Sequence, residues 1–157
     1  MAGKELETVQ QFKYLGAIVN EQGSKGEILA RAAQTSVAMG KLKSIWKDQN
    51  ISLKTKLKLQ YALIYSIFLY ACESWTLTAE LQRRIQTTEL WCFRRVLGIP
   101  YNTHTTNEEV RRTITQHVNH YEDLLTIVKK KTKVVWTRYK VQWTRQDYYS
   151  RNSSGKK

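Results

Sequence analysis

Carboxylates are scarce in this chain where chemistry would need them. It holds three Asp, at Asp48, Asp123 and Asp147, each far from the others. Metal-dependent nucleotidyl transfer needs carboxylates close enough to hold two Mg²⁺ ions about 4 Å apart, and these three do not supply them. Glu108 and Glu109 are adjacent, but they fall in what reads as a helix first turn, where acids serve the dipole and the cap. A Gly-rich phosphate loop, a Ser-His-Asp set and a Cys-His pair are missing too. His117 and His120 stand three apart with no Cys or third His at ligand distance, so a metal site is not expected. The reading is of a chain with no catalytic residues and no cofactor.

Other absences narrow the class further. There are two cysteines, Cys72 and Cys92, without CxxC spacing and in apolar surroundings, which suits buried free thiols in a reducing compartment. The first apolar run lies far from the N-terminus, so no signal peptide is expected, and the chain reads as intracellular, nuclear or cytoplasmic, not secreted. The longest uncharged apolar run, Tyr61 to Cys72, is too short for a bilayer, which needs about 20 residues. Neither a membrane nor a small-molecule substrate is implied.

What is present is enough to fold. Of 157 residues 41% are hydrophobic, with five Trp and nine Tyr, which argues against global disorder and for one domain. The net charge is +13, but unevenly placed: residues 129–157 hold ten Lys or Arg against one Asp, and residues 1–128 hold sixteen against twelve acids. The tail carries +9 and the body +4, so overall basicity alone is a weak argument for a nucleic-acid partner.

Residues 7–20 read as two short strands, with Val9, Phe12, Tyr14, Ile18 and Val19 as strand formers and Gly16 at the bend. Ser24 and Glu27 have capping-box spacing for a helix running to about Asp48, with Ile28, Ala32, Met39, Leu42 and Trp46 as its apolar stripe. Beside the stripe, Ala33, Ser36 and Gly40 run toward Lys43 and Lys47. That line suits either tight helix packing with a solvated basic end or a surface along a nucleic-acid backbone. Ser52 caps the next helix, whose uncharged stretch reads as apolar all round and therefore central, with wet first turns at Lys54, Lys56 and Lys58.

Thr78 is placed to cap a third helix through Leu97, buried along Leu81, Ile85, Cys92 and Val96. Arg83 with Arg94, and Arg84 with Arg95, are eleven residues apart, so each pair shares a face. The separation of roughly 16 Å could span successive phosphates; alternatively Glu80 and Glu89 offset them and they face water. Gly98 and Pro100 stop the helix. Thr106 and Glu109 form a second capping box for a short helix to about Ile114, and a further helix is expected over roughly Val118 to Lys130. From Lys129 the basic and aromatic residues alternate, and RNSSGKK at the end has the composition of a disordered tail.

Three segments, LYACESWTLT, ELWCFRRVLGIP and TNEEVRR, in this order and spacing, resemble the region after the palm in reverse transcriptases of non-LTR (LINE-type) retrotransposons. The likeness covers about residues 8–130. It implies that FKYLGAIV at 12–19 corresponds to the primer grip, with Phe12, Lys13, Tyr14, Leu15 and Gly16 near a primer terminus. It also implies that residues 24–97 correspond to a helical thumb holding a template–primer duplex. The family's tyrosine-Ala-Asp-Asp catalytic box would lie upstream of FKYLG, and almost none of that upstream region is here.

The tail departs as well. The family usually continues as a segment like RKLKWYGHVTRSSGLAKT, whereas residues 135–148 read VWTRYKVQWTRQDY. Plausible codons for YGHVTRSSGLAKT, read one frame over, give a segment differing from residues 136–148 only at Thr137. A frameshift near residue 131 is therefore expected, and the encoding DNA should carry the family-like ending in an adjacent frame.

The expected fold is mainly α: a small N-terminal β-hairpin over 1–23, a helical thumb-like domain over 24–130, and a basic aromatic tail over 131–157. The expected activity is non-specific binding of RNA, DNA or RNA–DNA hybrid through Lys43, Lys47, Arg83, Arg84, Arg94 and Arg95, without catalysis. The alternative is a helical protein-interaction scaffold, or a decayed element with no selected role.

Overall fold

The computed structural model describes residues 24–100, 102–118, 121–135 and 137, and the backbone alone of 11–14 and 17–20. The fold is mainly helical. Of the expected hairpin, only Gln11–Tyr14 (β1) and Ala17–Asn20 (β2) are described, running antiparallel with Phe12 opposite Val19. The residues that would join and flank them lie outside the described residues.

Lys25–Lys41 forms α1, burying Ile28, Thr35 and Met39. Its expected capping box does not form. The Ser24 hydroxyl instead accepts the Thr76 backbone N–H at 2.8 Å, and Glu27 turns inward to take Arg31 Nε at 2.7 Å. Nor does α1 reach Asp48: it ends at Lys41, and a separate short helix, Lys43–Lys47 (α2), follows. At this junction Met39 O accepts the indole N–H of Trp46 at 2.9 Å. The line Ala33, Ser36 and Gly40 is exposed, and a Cβ at Gly40 would meet nothing within 4 Å, so it makes no tight helix contact.

The central helix is assembled from three parts: Leu53–Leu59 (α3), a π segment Gln60–Tyr65, and Ser66–Phe68 (α4). Ser52 caps it as expected, accepting the Thr55 N–H at 3.2 Å. Leu57, Ile64, Tyr65 and Phe68 are core residues. The helix is not buried all round, however, because Leu63 and Tyr70 remain 45% and 49% exposed. The helix α1 packs against the π segment and α4, and the later helix Ala79–Val96 packs against α3. Lys56, expected in water, is buried, its ammonium donating to Trp46 O at 2.8 Å. Ala71, with φ 59°, ends the element in the left-handed region. Trp75 then packs edge-on against Phe68 at 5.5 Å.

Ala79–Val96 forms α5, with Thr78 accepting the Leu81 N–H at 3.3 Å and Leu81, Ile85, Cys92 and Val96 buried as expected. It packs against α1 and against α6, Asn107–His117, which begins with the expected reciprocal Thr106–Glu109 capping box. The last helix (α7) spans residues 124–135. It starts later than expected because Asp123 caps it, accepting from Thr126 N at 2.8 Å. It also runs on past residue 130, with Thr132 buried and Lys131 paired to Glu73 at 3.3 Å. Residues 138–157 lie outside the described residues. No described helix is long and apolar enough to cross a membrane.

Candidate nucleic-acid interface

The C-terminal end of α5 is built to stop sharply. Gly98 adopts φ +67°, which favours glycine, and the chain reverses through Ile99 N–H to Arg94 O at 2.9 Å and Gly98 N–H to Arg95 O at 3.3 Å. This pairing satisfies two terminal carbonyls and swings Gly98, Ile99 and Pro100 across the helix end toward α2. Between them lies a cleft of about 940 Å³.

Its walls concentrate positive charge. Lys43 and Lys47 come from α2, Arg94 and Arg95 from α5, and Lys56 from α3, while no acidic residue lines it. Without these five, residues 1–128 hold eleven basic and twelve acidic residues, so the cleft accounts for the whole positive surplus of the body. A bland cause exists for part of this, since cations are favoured at helix C-termini. The C-terminus of α5 carries only about half a negative charge, against several formal positives. A concave site lined by one sign focuses its field on an approaching anion.

The cations are held differently. Arg94 uses Nη2 to donate to Thr105 O at 2.8 Å and Asn107 Oδ1 at 3.1 Å, which ties the start of α6 to α5. Arg95 lies over the Trp91 ring, 4.8 Å from its centroid. Lys56 is fixed through Trp46 O. Lys43 and Lys47 make no ion pair among the described residues.

The structure thus brings together four of the six expected contact residues: Lys43, Lys47, Arg94 and Arg95. Arg83 and Arg84 are exposed about three turns away and do not line the cleft. Arg84 is offset as the alternative held, donating to Glu80 at 3.1 Å, and Lys25 also reaches Glu80 at 3.4 Å. Glu89 offsets none of the four arginines; it is fully buried and paired with Arg111. Phe12, Lys13 and Tyr14 are described only as backbone in β1, and Leu15 and Gly16 lie outside the described residues. His120 lies outside them as well, and His117 is exposed, its Nδ1 2.8 Å from Thr113 O.

Sequence reasoning missed Lys56 and Trp91. Lys56 sits one turn before buried Gln60 and two before Ile64, a spacing that marks the inner face. Trp91 stands four residues before Arg95, the spacing that lets a ring and a cation meet on a helix. The described residues hold no group of three or more His, Cys, Asp or Glu that could bind a metal. Asp48 and Asp123 instead serve local turns, accepting Asn50 N–H and Thr126 N–H at 2.8 Å each. Both cysteines are buried and free, with burial pushing the Cys72 thiol up to about 11 and the Cys92 thiol up to about 12. Comparison with protein-family models, with curated proteins and with solved structures finds no match to this chain.

Proposed function

We propose that this chain is the thumb-like part of a non-LTR retrotransposon reverse transcriptase, that residues 1–23 form a primer-grip-like hairpin beside it, and that it grips nucleic-acid backbone without catalysing anything. The partner is RNA, DNA or their hybrid, taken without regard to sequence, in an intracellular setting. The observation that carries the binding is the cleft with five cations and no carboxylate in an otherwise near-neutral body. Guanidinium and ammonium groups on opposing walls suit phosphates. The proposal of no catalysis is supported by the scattering of the three Asp along the sequence and by the local turn bonds of Asp48 and Asp123.

The test compares two charge reversals of equal size. Lys43→Glu with Lys47→Glu alters the cleft; Lys54→Glu with Lys58→Glu alters exposed positions elsewhere. Binding of a labelled oligonucleotide should collapse for the first pair and fall only modestly for the second. Equal losses would reduce the affinity to net charge and remove the cleft from the account.

A second reading, a protein-interaction scaffold, draws on the exposed apolar side chains Val37, Leu63 and Tyr70, which are 60%, 45% and 49% exposed. It predicts that Val37→Asp or Leu63→Asp abolishes self-association or pull-down of a partner while leaving oligonucleotide binding intact.

A further inference from the structure

The cleft is more than a charged surface, and its shape points to the kind of nucleic acid it takes. At about 940 Å³ it is at the upper end of the size range of small-ligand pockets. It has room inside for a few nucleotides, and a duplex would lie across its mouth. A duplex turns its phosphates outward and its bases inward, so inside a concave cleft it can use only the rim cations. One unpaired strand can place phosphates on the walls and bases on whatever flat surface lies between.

Such a surface is present. Arg95 lies over Trp91 with its guanidinium 4.8 Å from the ring centroid, so a planar cation is held on an aromatic base at the cleft wall. Trp91 is half-buried and Arg95 exposed. Unpaired bases stack on aromatic rings and on guanidinium planes alike. Trp46 does not compete for this role, because it is 5% exposed and its indole N–H is committed to Met39 O. No cleft cation is in an ion pair among the described residues, but Lys56, Arg94 and Arg95 are held by hydrogen bonds or a ring, which leaves Lys43 and Lys47 with no such contact to give up for a phosphate.

We propose that the cleft binds unpaired RNA or DNA, with one base stacked on the Arg95–Trp91 platform and flanking phosphates on Lys43 and Lys47. This rests on the backbone-binding reading above, and it adds a preference for single strands and a role for the base.

The test uses the full chain and three labelled probes: a single-stranded oligonucleotide, the same strand in duplex, and the same strand with abasic sugars at its centre. The single strand should bind more tightly than the duplex. The abasic strand should lose roughly 5- to 150-fold, the worth of one stacked base. Trp91→Ala should lose a similar factor for the intact strand and nothing further for the abasic one, with an unchanged salt slope, while Trp91→Phe keeps most of the affinity. If duplex and single strand bind equally and the abasic strand loses nothing, base stacking is wrong while cleft binding to phosphates stands. If no probe shows salt-dependent binding, both readings fail. The abasic comparison shows whether a base is bound, and the retained affinity of the ring-keeping Trp91→Phe against the loss in Trp91→Ala assigns it to the platform rather than to the basic aromatic residues 129–157.

Discussion

Arg111 Nη1 on α6 lies 3.6 Å from Glu89 Oε2 on α5, and Glu89 is fully buried. The other carboxylate oxygen accepts Tyr65 O–H at 3.1 Å and Leu124 N–H at 2.7 Å. One side chain therefore joins the central helix, α5, α6 and the first turn of α7. Removing it strands buried donors and an unpaired arginine together. Glu89→Ala is expected to destabilise the fold by about 3 kcal/mol in chemical denaturation. A loss below about 1 kcal/mol would show that this junction is not structural.

The same carboxyl should leave a mark on stability against pH. Burial raises its proton affinity above the ordinary glutamate range, with the Leu124 N–H and the Arg111 charge opposing it. An acid whose folded pKa is raised stays protonated in the native state while the unfolded chain ionises. Its contribution is therefore complete below the ordinary value of 4.5 and is lost as pH rises through the folded value. Glu89→Gln should remove that decline. Glu109, whose carboxyl is held low by the capping hydrogen bonds of Thr106, acts with the opposite sign. Denaturation midpoints between acid and neutral pH, for wild type and Glu89→Gln, check this; identical slopes would contradict it.

Gln60 sits in the π segment with no exposed surface and no hydrogen-bond partner for either side-chain polar atom among the described residues. A buried amide without partners costs stability, so an apolar side chain of similar size should be neutral or better. Gln60→Met is expected to raise stability by about 1 kcal/mol in thermal or urea unfolding. Destabilisation of that size would mean that the amide is satisfied in solution.

Gly98 holds φ +67° with open space around its Cβ position, so any cost of a side chain there is conformational. Gly98→Ala should cost about 1 to 2 kcal/mol. By disturbing the reversal that carries Ile99 and Pro100 across the cleft, it should also weaken oligonucleotide binding. An unchanged affinity would separate the reversal from the site.

Local signals carried much of the architecture. Ser52, Thr78, the Thr106–Glu109 box and the Gly98 stop each act within a few residues, and each appears where its spacing implies. What was not legible depends on partners distant in sequence. Ser24 gives up its cap to bond Thr76, 52 residues away. Glu89 reads as a surface acid until Leu124 and Arg111 close over it. The cleft followed the same rule: arginine spacing on α5 was readable, but its convergence with Lys43 and Lys47 comes from the packing of α2 against α5.

The most direct test of the central claim is the salt dependence of oligonucleotide affinity for the wild-type chain and for Lys43→Ala, Lys47→Ala and Arg95→Ala combined. Each phosphate contact contributes about 0.7 to 0.9 to the slope of log affinity against log salt. Lys43 and Lys47 are the two that take phosphates while Arg95 takes a base, so the triple variant should lose about 1.5 units of slope, with its fold intact by circular dichroism. A slope equal to wild type would mean that these side chains touch no phosphate and that the cleft is not the binding site.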